Sequence, residues 1–327
     1  MTASRSELRT LLRFRPKFRR YIWGGRKLAT VLNKPLAEGN DFAESWEICD
    51  HGHDQSIVAV GPLVGTTLGE LVSGRGEELL GRHYPQRQFP LLFKFLDCNQ
   101  TLSVQVHPND EQAARLTPPD FGKTEAWVIL DAQPGSCIYA GLKRGFDRAA
   151  LEREVARGTC EMCLHRIEPR AGDCVFIPAG TVHALGAGLL VAEIQQSSDT
   201  TYRLFDWNRL GPDGQPRPLH VAQALEVIDF QRGPVAPQTP QPTDKPHVSR
   251  LVACDKFILD RWTITHADRV GGDDRCHILA VISGSVRLAG FQSAEIMTMG
   301  ETALLPAAGS IEVRPDASAV MLDIYLP

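Results

Sequence analysis

Two stretches of this chain gather the residue types that hold a metal ion. Residues 101–125 open with T-L-S-V-Q-V-H-P and close with G-K-T-E. Within them Ser103, Gln105 and His107 alternate with Leu102, Val104 and Val106. A period of two belongs to a β-strand, so the three polar side chains share one face. Residues 172–183 read G-D-C-V-F-I-P-A-G-T-V-H and place His183 just after a Pro-x-Gly turn. Imidazole nitrogen and carboxylate oxygen are donors that a divalent cation such as zinc accepts. His107, Glu125 and His183, with Gln105 beside them, therefore form a candidate cage for a divalent metal.

The elements that must position this cage are mostly strands. Residues 42–48 (F-A-E-S-W-E-I) alternate, and residues 89–96 form a dense apolar run holding one lysine, Lys94. That run reads as a buried strand, and with the strand ending at Val106 it predicts a hairpin over 89–106. Strands are expected at 127–130 and 136–140 about the turn Gln133-Pro134-Gly135, at 165–168 and 174–177, and at 189–195 with Glu193 inside it. Helices are expected at 109–116 behind an Asn cap, and at 147–158 between an Asp cap and a Gly stop. Two more are expected at 220–230 and, as short pieces broken by Gly74 and Gly76, at 66–81. Residues 231–246 carry five prolines and read as an extended interdomain linker. Trp23 and Trp46 are otherwise ordinary core candidates.

Bulk properties narrow the function classes. A chain of 327 residues suggests two domains. Hydrophobic residues make up 43%, enough for a full core, and the net charge of -4 gives no reason to expect a nucleic-acid partner. No apolar run approaches the roughly eighteen residues of a membrane span. Arg5, Arg9, Arg13, Arg15, Lys17, Arg19 and Arg20 interrupt any secretory leader and read as a solvated basic face, so a cytoplasmic location is expected. The eight cysteines are then expected as free thiols, and Cys160-x-x-Cys163 lacks the second pair that a zinc knuckle needs.

The chain also echoes itself. The pattern Gly172-x5-Pro178-x-Gly180-x2-His183 returns as Gly300-x5-Pro306-x2-Gly309, and Glu125-A-W-V-I-L returns as His277-I-L-A-V-I. In the second copy the histidine position falls on Ile311. Two copies of one small β-barrel are the simplest explanation, with metal in the first only.

These motifs carry a resemblance. The Gly-x5-Pro-x-Gly-x2-His pattern resembles the second signature of the cupin superfamily, with Ala187 where an Asn is usual. Trp23-Gly-Gly, Glu44-Ser-Trp-Glu, Leu102-Ser-Val-Gln-Val-His-Pro108, Gly122-Lys-Thr-Glu125, the Pro178 motif, and Glu193 followed by Arg203 together resemble a type I mannose-6-phosphate isomerase of the shorter bacterial form. The likeness spans residues 14–230 by motif and the remainder by architecture. It implies a mainly β protein of two cupin-type (jelly-roll) barrels with a few short helices. Its domains would be 1–232, catalytic, and 247–327, a degenerate cupin-like copy, joined by the Pro-rich linker 233–246.

The resemblance further implies one Zn2+ per chain, or another divalent metal, on His107, Glu125 and His183, with Gln105 as a weaker ligand. It implies exchange of mannose 6-phosphate and fructose 6-phosphate through an enediol. Arg203 would stabilise the enediolate, and Lys123, two residues before Glu125 and facing the same cavity, would be the base. Lys123 could equally be a phosphate or carboxylate partner without proton transfer. Ser103 would help bind phosphate, Trp23 would form an aromatic wall, and Glu44, Glu193 and Asp199 would hold sugar hydroxyls or orient Arg203. The expected partner is a small-molecule sugar phosphate, on a monomer or homodimer. Three alternatives stay open: an isomerase of a free sugar or other phosphosugar, a sugar-binding cupin without turnover, and an iron cupin dioxygenase.

Overall fold

A computed structural model describes residue 8 and residues 11–211, 214–290 and 295–327. Strands dominate, as expected, and they form two sandwiches with one strand order. In the first, a six-stranded sheet runs Lys17–Gly25, Phe42–Ile48, Leu91–Cys98, Leu189–Gln196, Glu125–Ala132, Cys174–Ile177. It faces a five-stranded sheet running Tyr202–Phe205, Val104–Val106, His183–Leu185, Ile138–Leu142, Leu164–Ile167. In the second, the six strands are Gln241–Pro242, Val248–Ala253, Ile258–Ile264, Ala319–Tyr325, His277–Ser283 and Thr302–Leu305. Its partner sheet runs Asp268–Gly271, Ser310–Pro315, Ser285–Ala289, Glu295–Thr298.

The internal echo is a structural repeat. Glu125 lies opposite Ile177 in the first sandwich, and His277 lies opposite Leu305 in the second. In each copy a turn proline, Pro178 or Pro306, follows one residue later. Each unit is a pair of sheets, and among the described residues no closed ring of strands forms. The expected hairpin over 89–106 is also absent: Leu91–Cys98 pairs in the six-stranded sheet, while Val104–Val106 pairs with His183–Leu185 and Tyr202–Phe205 in the other. The turn between them crosses from sheet to sheet. The strands about Gln133-Pro134-Gly135 part in the same way.

Alternation along the strands builds the core. Phe93, Phe95, Ala126, Val128, Leu190, Ala192 and Ile194 point outward and pack against Leu259, Ile278, Ala280, Leu322 and Ile324 of the second six-stranded sheet. Trp127, Ile129, Leu189 and Val191 point inward, against Ile138, Ala140 and Leu185 of the facing sheet. Both faces are buried, so these strands read as continuous apolar runs rather than clean alternation. The inward face is where a charged residue such as Lys94, Glu125 or Glu193 meets the facing sheet.

One further expectation changes. Residues ahead of the first strand are not simply a solvated basic face: Leu11, Leu12 and Phe14 are buried, and Leu12 bridges to Leu304 in the second sandwich. The Pro-rich segment is held along its length, with Val235 N–H donating to Ala140 and Gln238 N–H to Cys174. Residues Leu68–Leu80 form two short helical pieces, capped by Thr67 and broken at non-helical Arg75, between Gly74 and Gly76 as expected. Helix Arg148–Arg157 has the expected Asp147 cap and Gly158 stop at φ 72°. All eight cysteines are free, and burial pushes the Cys160 thiol up. Among the described residues no helix is long and apolar enough to cross a membrane.

The second sandwich closes its own charges at the repeat position. His277 Nδ1 lies 2.7 Å from Asp323 and Nε2 3.0 Å from Asp273. Burial opposes its protonation, but the two carboxylates outweigh that and push it up to about 10. The unfolded imidazole titrates near 6.5, so this stabilisation is complete below about pH 6.5 and is lost as pH rises toward 10. Thermal unfolding should therefore fall between pH 7 and 10. A His277→Ala variant should be about 3 kcal/mol less stable at neutral pH, because buried Asp323 loses its partner, and should lack most of that alkaline decline.

Candidate active site

Four strands meet around Glu125. Its sheet neighbour is Gln195, and Glu193 on the same inward face lies opposite Lys94. From the facing sheet, Gln105 lies between His183 on one side and Arg203 on the other. His107 follows Val106 at the strand end, where Pro108 stops the ladder.

The ligand atoms of His107, Glu125 and His183 all lie within 4.8 Å of one another. His107 Nε2 is 3.5 Å from Glu125 Oε2, and His183 Nε2 is 3.3 Å from Oε1. Each ring is fixed from behind. His107 Nδ1 is 3.0 Å from the Thr200 carbonyl, and His183 Nδ1 is 2.9 Å from that of Thr181. A carbonyl only accepts, so both Nδ1 atoms carry the hydrogen and both Nε2 lone pairs face inward. Burial pushes His107 well below its ordinary range, with Lys123 adding to it, and pushes His183 down to about 4.

Neutral rings cannot pair ionically with Glu125. The centre is therefore two lone pairs and a carboxylate, with His107 Nε2 buried and without a hydrogen-bond partner. Burial raises the Glu125 carboxyl, while Lys123, at 3.9 Å, and Lys94 draw it back down. Acceptors converging on one buried point fit a divalent cation, and this is the only such cluster among the described residues. Gln105 Nε2 stands 3.3 Å from His183 Nε2. A half-turn of its amide would present oxygen there instead.

Above this floor opens a cavity of about 300 Å³. Trp23, Glu44, Ser103, Gln105, Lys123, Glu125, Glu193, Asp199 and Arg203 all line it, so every residue singled out from sequence lies here or, for the two histidines, directly beneath. A larger cavity, about 710 Å³, opens between residues 109–112 and 254–256, but its Asp110 is already paired with Lys256. The His107–Glu125–His183 donor set lies at the smaller one.

Three residues were not assigned a role from sequence. Lys94, only 6% exposed, lies 3.4 Å from Glu193 and 3.7 Å from Glu44. Burial opposes its charge, but the two carboxylates outweigh it and raise its pKa. A lone lysine in an apolar strand was the available signal. Burial pushes the Glu193 carboxyl up to about 7, against the pull of Lys94. Arg217 also lines the cavity and grips both Asp206 oxygens at 2.6–2.7 Å. Tyr21 stacks on Trp23 at 5.5 Å. Neither Arg217 nor Tyr21 sits in a motif. Arg203 donates to the Pro218 carbonyl through Nη1, and its Nε is buried without a partner.

Known proteins resemble this chain along nearly its whole length. The family model "Phosphomannose isomerase type I, catalytic domain" matches residues 11–124, ending just before Glu125. A Bacillus subtilis protein, "Mannose-6-phosphate isomerase ManA", is 34% identical over 300 residues, 90% of this chain and 92% of that one. The mannose-6-phosphate isomerase of Streptococcus mutans is 31% identical over 285 residues, 87% of this chain and 89% of its own. The crystal structure of the mannose 6-phosphate isomerase from Bacillus subtilis superposes with a TM-score of 0.88 at 29% identity, over 97% of this chain and all of the other. Shared length, shared cupin fold and the motifs around His107 agree: this chain belongs to the type I mannose-6-phosphate isomerase family.

Proposed function

We propose that this chain is a zinc-dependent isomerase that interconverts mannose 6-phosphate and fructose 6-phosphate through an enediol, at the cavity above His107, Glu125 and His183. Family membership supports the reaction. The observation that carries the metal assignment is the pair of imidazoles whose Nδ1–H groups are both spent on backbone carbonyls, leaving two lone pairs on one buried carboxylate. Bound there, zinc would polarise the sugar carbonyl as a Lewis acid. Gln105 is the proposed fourth, weaker ligand.

The remaining work falls to side chains. Moving a proton between C2 and C1 needs a base that reaches both carbons. Lys123 is the proposed base, since its side chain is buried and its Nζ stands 3.9 Å from Glu125 at the cavity floor. Arg203 supplies donors to negative charge on the enediolate oxygens, and its planar guanidinium stays protonated as it does so. Lys94 keeps Glu44 and Glu193 compensated inside the wall, so these acids can accept bonds from sugar hydroxyls. Asp199 adds another acceptor. Ser103 and the Arg203–Arg217 side of the mouth favour a phosphorylated over a free sugar. Trp23, backed by Tyr21, gives the sugar an apolar wall. The catalytic residues lie within 1–232, which we take as the catalytic unit. The lysine, arginine and buried acids around the metal set favour isomerisation over the sugar-binding and dioxygenase alternatives.

A coupled assay comparing mannose 6-phosphate with free mannose, fructose and glucose 6-phosphate should show turnover with mannose 6-phosphate far above the others. Equal turnover of free mannose would point to the alternative substrate class. Chelator-treated protein should lose isomerase activity and regain it with zinc. Activity that survives metal removal would sink the ligand assignment. Arg203→Ala should lower kcat by about 10²–10³-fold with bound metal unchanged. Lys123→Met should lower kcat by at least about 10²-fold and remove the acidic limb of the pH profile, the rise in rate as a catalytic base loses its proton. An unaltered profile would leave Lys123 as a phosphate or carboxylate partner only.

A further inference from the structure

Between His107 and Glu125 the chain makes an excursion through residues 108–122. One carboxylate near its end, Asp120, collects four donors. Phe121 N–H donates to Oδ1 at 2.8 Å, and His51 Nε2 lies 3.2 Å from the same oxygen. The hydroxyls of Ser198 and Thr200 donate to Oδ2 at 2.8 and 2.6 Å. Burial works against this charge, but bonds from His51, Thr200 and Ser198 outweigh it and keep the carboxyl below the usual range.

The bonds fall on a segment that has no ladder of its own. Residues 197–201 follow strand Leu189–Gln196 and precede strand Tyr202–Phe205 without regular structure. Their side chains divide: Ser198 and Thr200 turn to Asp120, while Asp199 and Thr201 line the catalytic cavity. The Thr200 carbonyl, held by this arrangement, is the group that accepts from His107 Nδ1 at 3.0 Å. It therefore fixes which nitrogen of His107 is free and where that lone pair points. Asp120 is neither among the residues lining the cavity nor one of the clustered ligand residues. His51, on the short strand Asp50–His51 of a separate two-stranded ribbon, braces it from the far side.

We propose that Asp120, braced by His51, is a positioning residue that presents His107 to the metal through the Thr200 carbonyl and sets the Asp199–Thr201 wall of the cavity. This inference rests on the metal reading of the site. Its consequence is specific: loss of Asp120 weakens metal binding by a folded protein, by about 10–100-fold for a partner of this kind. Loss of the Thr200 hydroxyl acts through the same link.

The test uses full-length protein stripped of metal and titrated with zinc against a chromophoric chelator, for the parent, Asp120→Asn, Thr200→Val and the double variant. Thermal unfolding of each stripped protein is measured alongside. The inference expects Asp120→Asn to bind zinc about 10–100-fold more weakly while still folded. It expects Thr200→Val to bind more weakly too, and the double variant to lose less than the product of the single losses, because both cut one link. At saturating zinc, kcat of Asp120→Asn should remain below the parent. A lowered melting temperature with unchanged zinc affinity would overturn the inference, as would fully multiplicative losses. A parent that binds no zinc would overturn the metal reading and this inference with it. Parent binding intact with Asp120→Asn equal to it overturns this inference alone.

Discussion

The structure turns on the burial of one carboxylate between two neutral imidazoles. Glu125 is 2% exposed, and a charge so placed is costly unless something cationic answers it. The histidines cannot answer, because burial keeps them unprotonated and backbone carbonyls consume their only N–H groups. Lys123 and Lys94 answer partly from the side. The remaining demand is what a divalent cation satisfies, and the geometry behind each ring makes that demand permanent rather than adjustable.

The second sandwich solves the same problem differently. His277 stands in the register position of Glu125, and Asp323 in that of Glu193. There the charges close among themselves, imidazolium against two carboxylates, with Ile311 buried where the first copy has His183. One strand order thus supports an open donor set in one copy and an internally neutralised cluster in the other. What separates them is a handful of inward positions on an otherwise similar frame, because outward positions are committed to the apolar seam between the two six-stranded sheets.

How much of this was legible depended on how local the signal was. His107 and Gln105 were visible from alternation, and His183 from a turn whose proline and glycine fix the chain just ahead of it. The sheet partners were not. The run 89–96 followed closely by 101–106 looks like a hairpin, yet the chain crosses between sheets there, since pairing is decided by distant strands at 189–196 and 202–205. Lys94 stood out as a lone charge in an apolar strand, but only the opposing Glu193 and nearby Glu44 show why it is tolerated. Arg217 and Asp120 had no motif at all. Their roles come from loops brought together by the fold, over separations that no spacing rule spans.

The most direct test of the account is zinc-edge X-ray absorption on the full-length protein loaded with one equivalent of zinc. The account predicts a first shell of nitrogen and oxygen only, at about 2.0–2.2 Å, with the multiple scattering of two imidazole rings and no sulfur. A sulfur shell at about 2.3 Å would place the ion on cysteines such as Cys160 and Cys163 and would contradict the account.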